Sequence, residues 1–517
     1  MKRRKFIQST GLSIPLFVNG MSLRAMPKSS IFSAISAEND KVLVLLQLNG
    51  GNDGLNTIIP LDQYDKLANV RSNIILPQSS LLNVGFNNAF HPSMTELKSH
   101  FDDGRMSIIQ SVGYPNQNRS HFRSTDIWTS ASPSDQQWTT GWLGRYLQEG
   151  APDYPDGYPN PQYPDPFAIT MGSLVSETCQ GTATNFSLAI NDPFNLNPLL
   201  DLEGSPPPNT PYGEELTFLR DVIEQTNAYG EVISSAAENG NNLAQYPGED
   251  QNPLANKFKN VARMIAGGLQ TKIYIISLGG FDTHANQVEQ GEPLSGQHAT
   301  LLRYISEAVD AFQRDLVLLG LDQKVLTMTF SEFGRRIRSN DSFGTDHGDA
   351  APMMLFGSCV APGFIGDNPE IPANPEVQDA VAMQYDFRNV YGSVLMDWFE
   401  VSEDDVKELL FPEFVHLPII QGCETTPTSE VPLSLEAVAY PNPFSKSVNI
   451  RFNSANEHVR VSIFNGSAQQ MGVLVNKKLN SGQHEFRFDA SHLPAGNYYI
   501  HLQLENGQQK TKLVVKQ

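Results

Sequence analysis

Lys41-Val-Leu-Val-Leu-Leu-Gln-Leu48, running into Asn49-Gly-Gly-Asn-Asp-Gly54, is the stretch that decides the fold. A short, nearly continuous apolar run of this kind is expected of a strand buried on both faces of a parallel sheet, whereas a half-wet strand would alternate. Two later segments repeat the pattern. Lys272 to Leu278 (KIYIISL) empties into Gly279-Gly-Phe-Asp-Thr-His284, and Lys324 to Phe330 (KVLTMTF) empties into Ser331-Glu-Phe-Gly-Arg-Arg336. Between them, Leu301, Leu302, Ile305, Val309, Phe312, Leu316 and Leu319 recur at helical spacing. Strand, crossover helix and strand make a βαβ unit and hence a parallel sheet. Met106 to Val112 and Met353 to Phe356 read as further strands, and Glu214 to Asn239 as a helix.

Outward from this core the chain changes character. Ala151 to Pro166 (APDYPDGYPNPQYPDP) is rich in Pro, Tyr and Asp, which resists both helix and sheet and reads as a rigid surface insertion. A second insertion, acidic and rich in Asn and Pro, covers roughly residues 188–255. Gly422 to Pro432 has the composition of a linker. Beyond it, Ser447 to Phe452, Val459 to Phe464, His484 to Phe488, Tyr498 to Leu504 and Lys510 to Val515 are short alternating runs split by turn residues, the pattern of a β-sandwich. The expected division is a signal and N-terminal tail over 1–37, an α/β domain over 38–420 with insertions near 150–166 and 188–255, a linker over 421–432, and a β-sandwich over 433–517.

Composition narrows the function. The 36 basic and 56 acidic side chains give a formal charge of −20, which repels nucleic acid and anionic lipid heads. The three cysteines, Cys179, Cys359 and Cys423, form no CxxC pair, so no cysteine metal site is indicated and at most one disulfide is expected. Met1-Lys-Arg-Arg-Lys-Phe-Ile7, followed by an apolar stretch from Gly11 to Leu23, reads as an export signal too short for a transmembrane anchor. Its Arg3-Arg4-Lys5-Phe6-Ile7 core resembles the twin-arginine motif, which implies the twin-arginine translocase as a partner.

The tail carries a second resemblance. Tyr440-Pro-Asn-Pro-Phe444, Leu493-Pro-Ala-Gly-Asn-Tyr-Tyr499 and Lys510-Thr-Lys-Leu-Val-Val-Lys516 resemble the type A C-terminal sorting domain of the type IX secretion system of Bacteroidetes. That implies type IX secretion machinery as partner and an extracellular or outer-membrane surface location, reached through the periplasm.

In open parallel sheets ligands bind beyond the carboxyl ends of the strands. Asp53, Asp282, His284 and Glu332 fall there, and Gly344-Thr-Asp-His-Gly348 adds Asp346 and His347. Carboxylate oxygen with imidazole nitrogen suits a divalent Zn, Mn or Fe ion or, with fewer histidines, Mg or Ca. Each residue alone also has a structural reading: Asp53 as a turn residue, Asp346 and His347 as a loop cap, Ser120 or Ser124 as a helix N-cap. A Ser at a helix start is equally where an anion or alkoxide would be stabilised, with Arg119 and Arg123 nearby in sequence.

Asn49-Gly-Gly-Asn-Asp-Gly-Leu-Asn56, Asn118-Arg-Ser-His-Phe122, Gly141-Trp-Leu-Gly-Arg145, Gly279-Gly-Phe-Asp-Thr-His284, Ser331-Glu-Phe-Gly-Arg335 and Thr345-Asp-His-Gly348 resemble the domain-of-unknown-function 1501 family over about residues 40–400. Its layout is similar to the alkaline phosphatase and sulfatase superfamily, so the resemblance implies an α/β fold with a doubly wound, mostly parallel sheet of alkaline-phosphatase-like type, beside the small all-β sandwich. It implies Asp53, Asp282, His284, Glu332, Asp346 and His347 as metal ligands, with His298 as an alternative to His284. It implies Ser120, the nucleophile, with His121, Arg119 and Arg335 as the catalytic set. Phe333 stands where a further His is usual, so this chain would hold one metal or none. No GxSxG, HExxH or GxxxxGK[ST] motif offers another chemistry. The expected function is hydrolysis of a phosphate or sulfate ester. The alternatives are a non-catalytic surface binding protein on the same fold and an enzyme of another class, such as a phosphomutase or lyase.

Overall fold

A computed structural model describes residues 39–196, 207–208, 210–421, 437–454, 457–465, 469–480, 482–504 and 509–517. The export signal over 1–37 and all but the first residue of the linker lie outside them.

The strands of the large sheet are β1 (Val42–Asn49), β2 (Met106–Gly113), β3 (Ala168–Met171), β4 (Ser187–Ile190), β5 (Ile273–Gly279), β6 (Val325–Phe330), β7 (Ala351–Phe356), β8 (Gly363–Ile365) and β9 (Tyr385–Asp386). They pair in the order β8-β2-β7-β6-β1-β5-β3-β4, with β9 on β2. Only β7 runs against its neighbours, β2 and β6. The remaining pairs are parallel. The α/β class and the mostly parallel sheet therefore stand, and Met353 to Phe356 is the exception within it.

The continuous apolar run of β1 has a simple cause. Leu43 and Leu45 pack into one core, while Val42, Val44, Leu46 and Leu48 pack into another on the opposite face. Ile273 and Ile275 of β5 join the first core, and Tyr274, Ile276 and Leu278 the second. With both faces dry, Val42 to Leu46 and Leu48 are apolar on either side of the strand, Gln47 alone interrupting the run, and alternation disappears. The amphipathic helix Gln297–Leu319 covers one face through Leu302, Ile305, Val309, Phe312 and Leu316. It links β5 to β6, but these strands do not pair with each other: β1 lies between them.

This arrangement positions the site. Asn49 aligns with Gly279, and Gln47 with Phe330, so the loops after β1, β5 and β6 leave the sheet side by side. β2 shares their direction, because β7 opposes both β2 and β6. The Tyr114–Ser120 loop and the helix His121–Ser130 behind it therefore emerge at the same end.

The insertion at 151–166 is less superficial than its composition suggests. Tyr154 and Tyr163 are buried and pack with Phe167, and Tyr154 also stacks on Phe186. The long helix of the second insertion spans Pro211–Asn239. Cys359 is disulfide-bonded, as suits an exported protein, and Cys179 is a buried free thiol.

The tail forms two antiparallel sheets. One holds the strands Ala437–Tyr440, Ser447–Ser454 and Gly482–Asp489; the other holds Gln470–Leu479, Glu457–Asn465, Gly496–Leu504 and Gln509–Lys516. Val448, Ile450, Val461, Ile463, Ile500 and Leu502 fill the core between them. The strand Gln470–Leu479 escapes sequence reading because it is an edge strand with few buried residues and carries Lys477 and Lys478. Among the described residues no helix is long and apolar enough to cross a membrane.

Candidate metal centre

Two glycines bring the strand ends together. Gly50 has φ +124° and Gly51 φ +86°, where side chains are strained; a Cβ on Gly50 would lie 2.3 Å from the Asp282 amide nitrogen, and one on Gly51 would lie 2.3 Å from the Phe333 ring. The loop after β1 thus lies directly against those after β5 and β6.

Arg335 locks the three loops. It is 1% exposed and donates to the carbonyls of Gly50, Gly51, Phe281 and Thr345 and to Asp282 Oδ1. A guanidinium spent in this way is a clamp, not a free anion site. The segment after it, Arg335–Ser339, pairs with Thr345–His347 as a hairpin that sets Arg335 opposite His347. Asp346 and His347, read in sequence as loop residues, are therefore held in a strand.

Asp282 is the focus of the cluster. Its oxygens lie 3.3 Å from His121 Nε2, 3.2 Å from His284 Nε2 and 3.1 Å from His347 Nε2. The donor atoms of His121, Asp282 and His347 all fall within 4.8 Å of one another. Each imidazole turns its other nitrogen to an acceptor. His121 Nδ1 is 2.9 Å from Glu332 Oε1, His284 Nδ1 is 2.9 Å from Asp346 Oδ1, and His347 Nδ1 is 2.7 Å from the Arg119 carbonyl. A carbonyl only accepts, as does an ionised carboxylate, so these contacts place a proton on each Nδ1; a neutral ring then turns only an Nε2 lone pair toward the Asp282 carboxylate, an arrangement satisfied by a cation between them.

The electrostatics agree. Burial opposes ionisation of Asp282, but the hydrogen bond and the charge of Arg335 help hold its carboxyl down to about 2. Burial likewise works against Asp346, and bonds from His284 and Asn340 with the Arg336 charge still keep it below the usual carboxylate range. Burial lowers His347.

The residues present fit a metal ion. Two bare Nε2 lone pairs, on His284 and His347, stand 2.8 Å apart and repel unless a cation lies between them. His121 Nε2 is buried with no hydrogen-bond partner, as is Glu332 Oε2. Ligands about 2 Å from one shared ion stand roughly 3 to 3.5 Å from each other, the range of separations around Asp282. Imidazole ligands whose Nδ1–H groups are held by carboxylate or carbonyl are the usual way such a site is oriented. Phe333 packs on His121 and His347, with ring centroids at 5.0 and 4.5 Å, as an apolar wall where the resemblance leads one to expect a ligand. The side chains of His121, Asp282, His284 and His347 remain 20–47% exposed, so solvent and solutes reach them.

Other expected residues sit elsewhere. Asp53 is 1% exposed and accepts from Arg71 at 2.7 and 3.0 Å and from Gln287 at 2.6 Å. Burial works against its charge, yet Arg71 holds its carboxyl below the usual range. It is a buried counterion, and the geometry does not bring it into the cluster. Glu332 and Asp346 stand behind histidines rather than among their Nε2 atoms. His298 is buried against Asn52, 3.1 Å away, not at Asp282. The Arg119 guanidinium is bidentate to Asp349 at 2.8 and 2.9 Å. Ser120 is the exposed N-cap of the helix His121–Ser130 and makes no side-chain cap bond, while Ser124 is buried against Tyr114. Sequence reading missed Arg71 and Gln287, for which no motif exists: a buried Arg or Gln announces itself only through its partners.

Comparison with known proteins places these residues. Residues 220–401 match the protein-of-unknown-function family DUF1501, and residues 438–516 match the secretion system C-terminal sorting domain. The search of curated proteins found no match. Among solved structures, a protein of the alkaline phosphatase superfamily from Vibrio parahaemolyticus is similar over 94% of this chain and 91% of its own, at 9% identity and a TM-score of 0.31. The sulfatase PsFucS1 from Pseudoalteromonas sp. is similar over 90% and 87%, at 9% identity and a TM-score of 0.33. Latent PorU from Porphyromonas gingivalis is similar over only 17% of this chain and 10% of its own, at 17% identity and a TM-score of 0.15. The sorting domain indicates secretion to the cell surface or the extracellular space. Asp282, His284, Glu332 and His347 lie within the segment that matches DUF1501, and the segment matching the secretion system C-terminal sorting domain follows it.

Proposed function

We propose that the protein is a secreted or surface-attached, metal-assisted hydrolase of phosphate or sulfate esters. One observation carries the reading: three imidazole Nε2 atoms converge on the Asp282 carboxylate at 3.1–3.3 Å, each fixed from behind by an acceptor on its Nδ1. His121, Asp282, His284 and His347 would hold the ion; bound there, it would supply Lewis acidity toward an ester oxygen and lower the pKa of a coordinated hydroxyl or water. Nitrogen-rich donors favour Zn or Fe over Mg, Ca or Mn. Glu332, Asp346 and the Arg119 carbonyl orient the three rings. Ser120 presents its hydroxyl at a helix N-terminus, one residue from His121, where N–H groups favour developing negative charge. Export would begin at the twin-arginine translocase and finish at the type IX machinery.

A specific feature supports a second reading, non-catalytic binding. Both arginines expected to neutralise a transferred group are engaged elsewhere, Arg119 by Asp349 and Arg335 by four carbonyls and Asp282. The test is elemental analysis of the full chain and its Asp282→Ala variant, followed by p-nitrophenyl phosphate and sulfate turnover. Stoichiometric metal that is lost in the variant, with turnover lost in parallel, is expected. Metal without turnover of either ester would favour the binding protein, and equal metal in both proteins would remove the centre.

A further inference from the structure

We propose that the centre takes a single divalent ion, and that on Asp53 the Arg71 guanidinium holds the place a second ion would fill. This deepens the metal reading above and rests on it.

The resemblance to the alkaline phosphatase and sulfatase superfamily makes Asp53 a metal ligand, and its local chemistry does not fit that role. Asp53 Oδ1 accepts from Arg71 Nη1 at 3.0 Å, and Oδ2 accepts from the same nitrogen at 2.7 Å and from Gln287 Nε2 at 2.6 Å. An ion binding either oxygen would have to displace these donors. Arg71 is not free to withdraw: it is fully buried and also donates to the carbonyls of Ile337 and Arg336, both at 2.6 Å, and to Asn56. An ion brought beside it would place two cations together in a buried pocket, where repulsion is weakly screened.

The orientation of Gln287 is fixed as well. Its Oε1 accepts from the Thr283 and Thr345 hydroxyls at 3.1 and 2.7 Å, so its amide nitrogen must face Asp53. Thr283 lies between Asp282 and His284, and Thr345 precedes Asp346 and His347. The neutralised Asp53 thereby braces, through Gln287, the two segments that carry three of the four metal-holding side chains. The third side of the cluster is closed by the buried Phe333 ring, which packs on both His121 and His347. Among the described residues, one group of three or more closely spaced donor side chains remains, and it is centred on Asp282.

The experiment is equilibrium loading of the full chain with Zn²⁺ or Co²⁺, reading metal per chain by elemental analysis, together with Asp282→Asn and the paired Asp53→Asn, Arg71→Met variant. Removing both charges of a buried pair spares the fold the unpaired charge that a single change would leave. One ion per chain is expected, lost in Asp282→Asn and retained in the paired variant with affinity within about threefold. Two ions per chain, or loss of an ion in the folded paired variant, would overturn the single-ion assignment while leaving the hydrolase reading in place. No ion in the unmodified chain would overturn both. Should the paired variant fail to fold, the stoichiometry of the unmodified chain decides.

Discussion

His284 Nε2 and His347 Nε2 face each other at 2.8 Å, while Nδ1 of the first ring is held by Asp346 and Nδ1 of the second by the Arg119 carbonyl. Nitrogens so placed form a hydrogen bond only if one ring takes an extra proton; otherwise they need a cation. His284→Ala and His347→Ala are each expected to weaken Zn²⁺ binding more than about 100-fold, beyond the loss typical of removing an outer partner. Competition with a chromophoric chelator measures this, and unchanged affinity in both variants would mean that the pair is an ordinary imidazole contact.

Glu332 is expected to act through His121. Its Oε1 accepts from the Gly50 amide at 2.8 Å and faces His121 Nδ1, so it fixes both a loop and a ring. Glu332→Ala is predicted to lower metal affinity about 10- to 100-fold and to destabilise the fold by about 1–3 kcal/mol, because a buried N–H loses its acceptor. Glu332→Gln, which keeps a neutral acceptor, should recover most of the stability and part of the affinity. Isothermal titration and thermal melts on the same samples separate the two effects; equal affinity in all three proteins would show that His121 needs no such partner.

Gly51→Ala is predicted to destabilise by about 1–3 kcal/mol, since it forces an L side chain to a positive φ and into the Phe333 ring. Adding Phe333→Ala should return the steric part but not the conformational part. Urea melts of the four proteins in the cycle would test this, and strictly additive effects would show that the loop moves away from the ring at little cost.

A pH window follows from the buried histidines. Burial holds His298 down to about 4 and His91 down to about 3, against 6.5 in an exposed chain. The unfolded state therefore takes up protons first. Stability is complete above about pH 6.5 and is lost as pH falls toward about 4, below which the paired carboxylates add their own losses. His298→Gln should flatten the decline between pH 6.5 and 4, by on the order of 2 kcal/mol across that window. Chemical denaturation at a series of pH values gives the slope, and identical slopes with and without His298 would assign the decline to other groups.

Much of this architecture is legible locally. An apolar run such as Val42–Leu48 can only be dry on both sides, and the recurrence from Leu301 to Leu319 is a helix in any context, because burial and backbone period act over a few neighbouring residues. Polar residues at strand exits locate one end of a parallel sheet, so Asp282, His284, Glu332 and His347 were visible as a group, and alternating runs with turn residues exposed the C-terminal sandwich. Strand order was not visible: β5 and β6 are joined by a helix yet separated by β1, since pairing partners are chosen by the packing of both sheet faces.

Roles within the site lay beyond the sequence for the same reason. Asp53 and Asp282 both follow glycine-rich turns after buried strands, and nothing local tells them apart. What separates them is that Arg71 engages both Asp53 oxygens, whereas Arg335 bonds only Oδ1 of Asp282 beside its four bonds to carbonyls, and three imidazoles still reach the Asp282 oxygens. The sequence by itself determined which side chains reach that end of the sheet, because strand direction is a short-range consequence of hydrophobic pattern. Only the tertiary structure decided which carboxylate is neutralised and which stays available, because the charge next to a buried acid comes from residues distant in the chain and acts over a few ångströms.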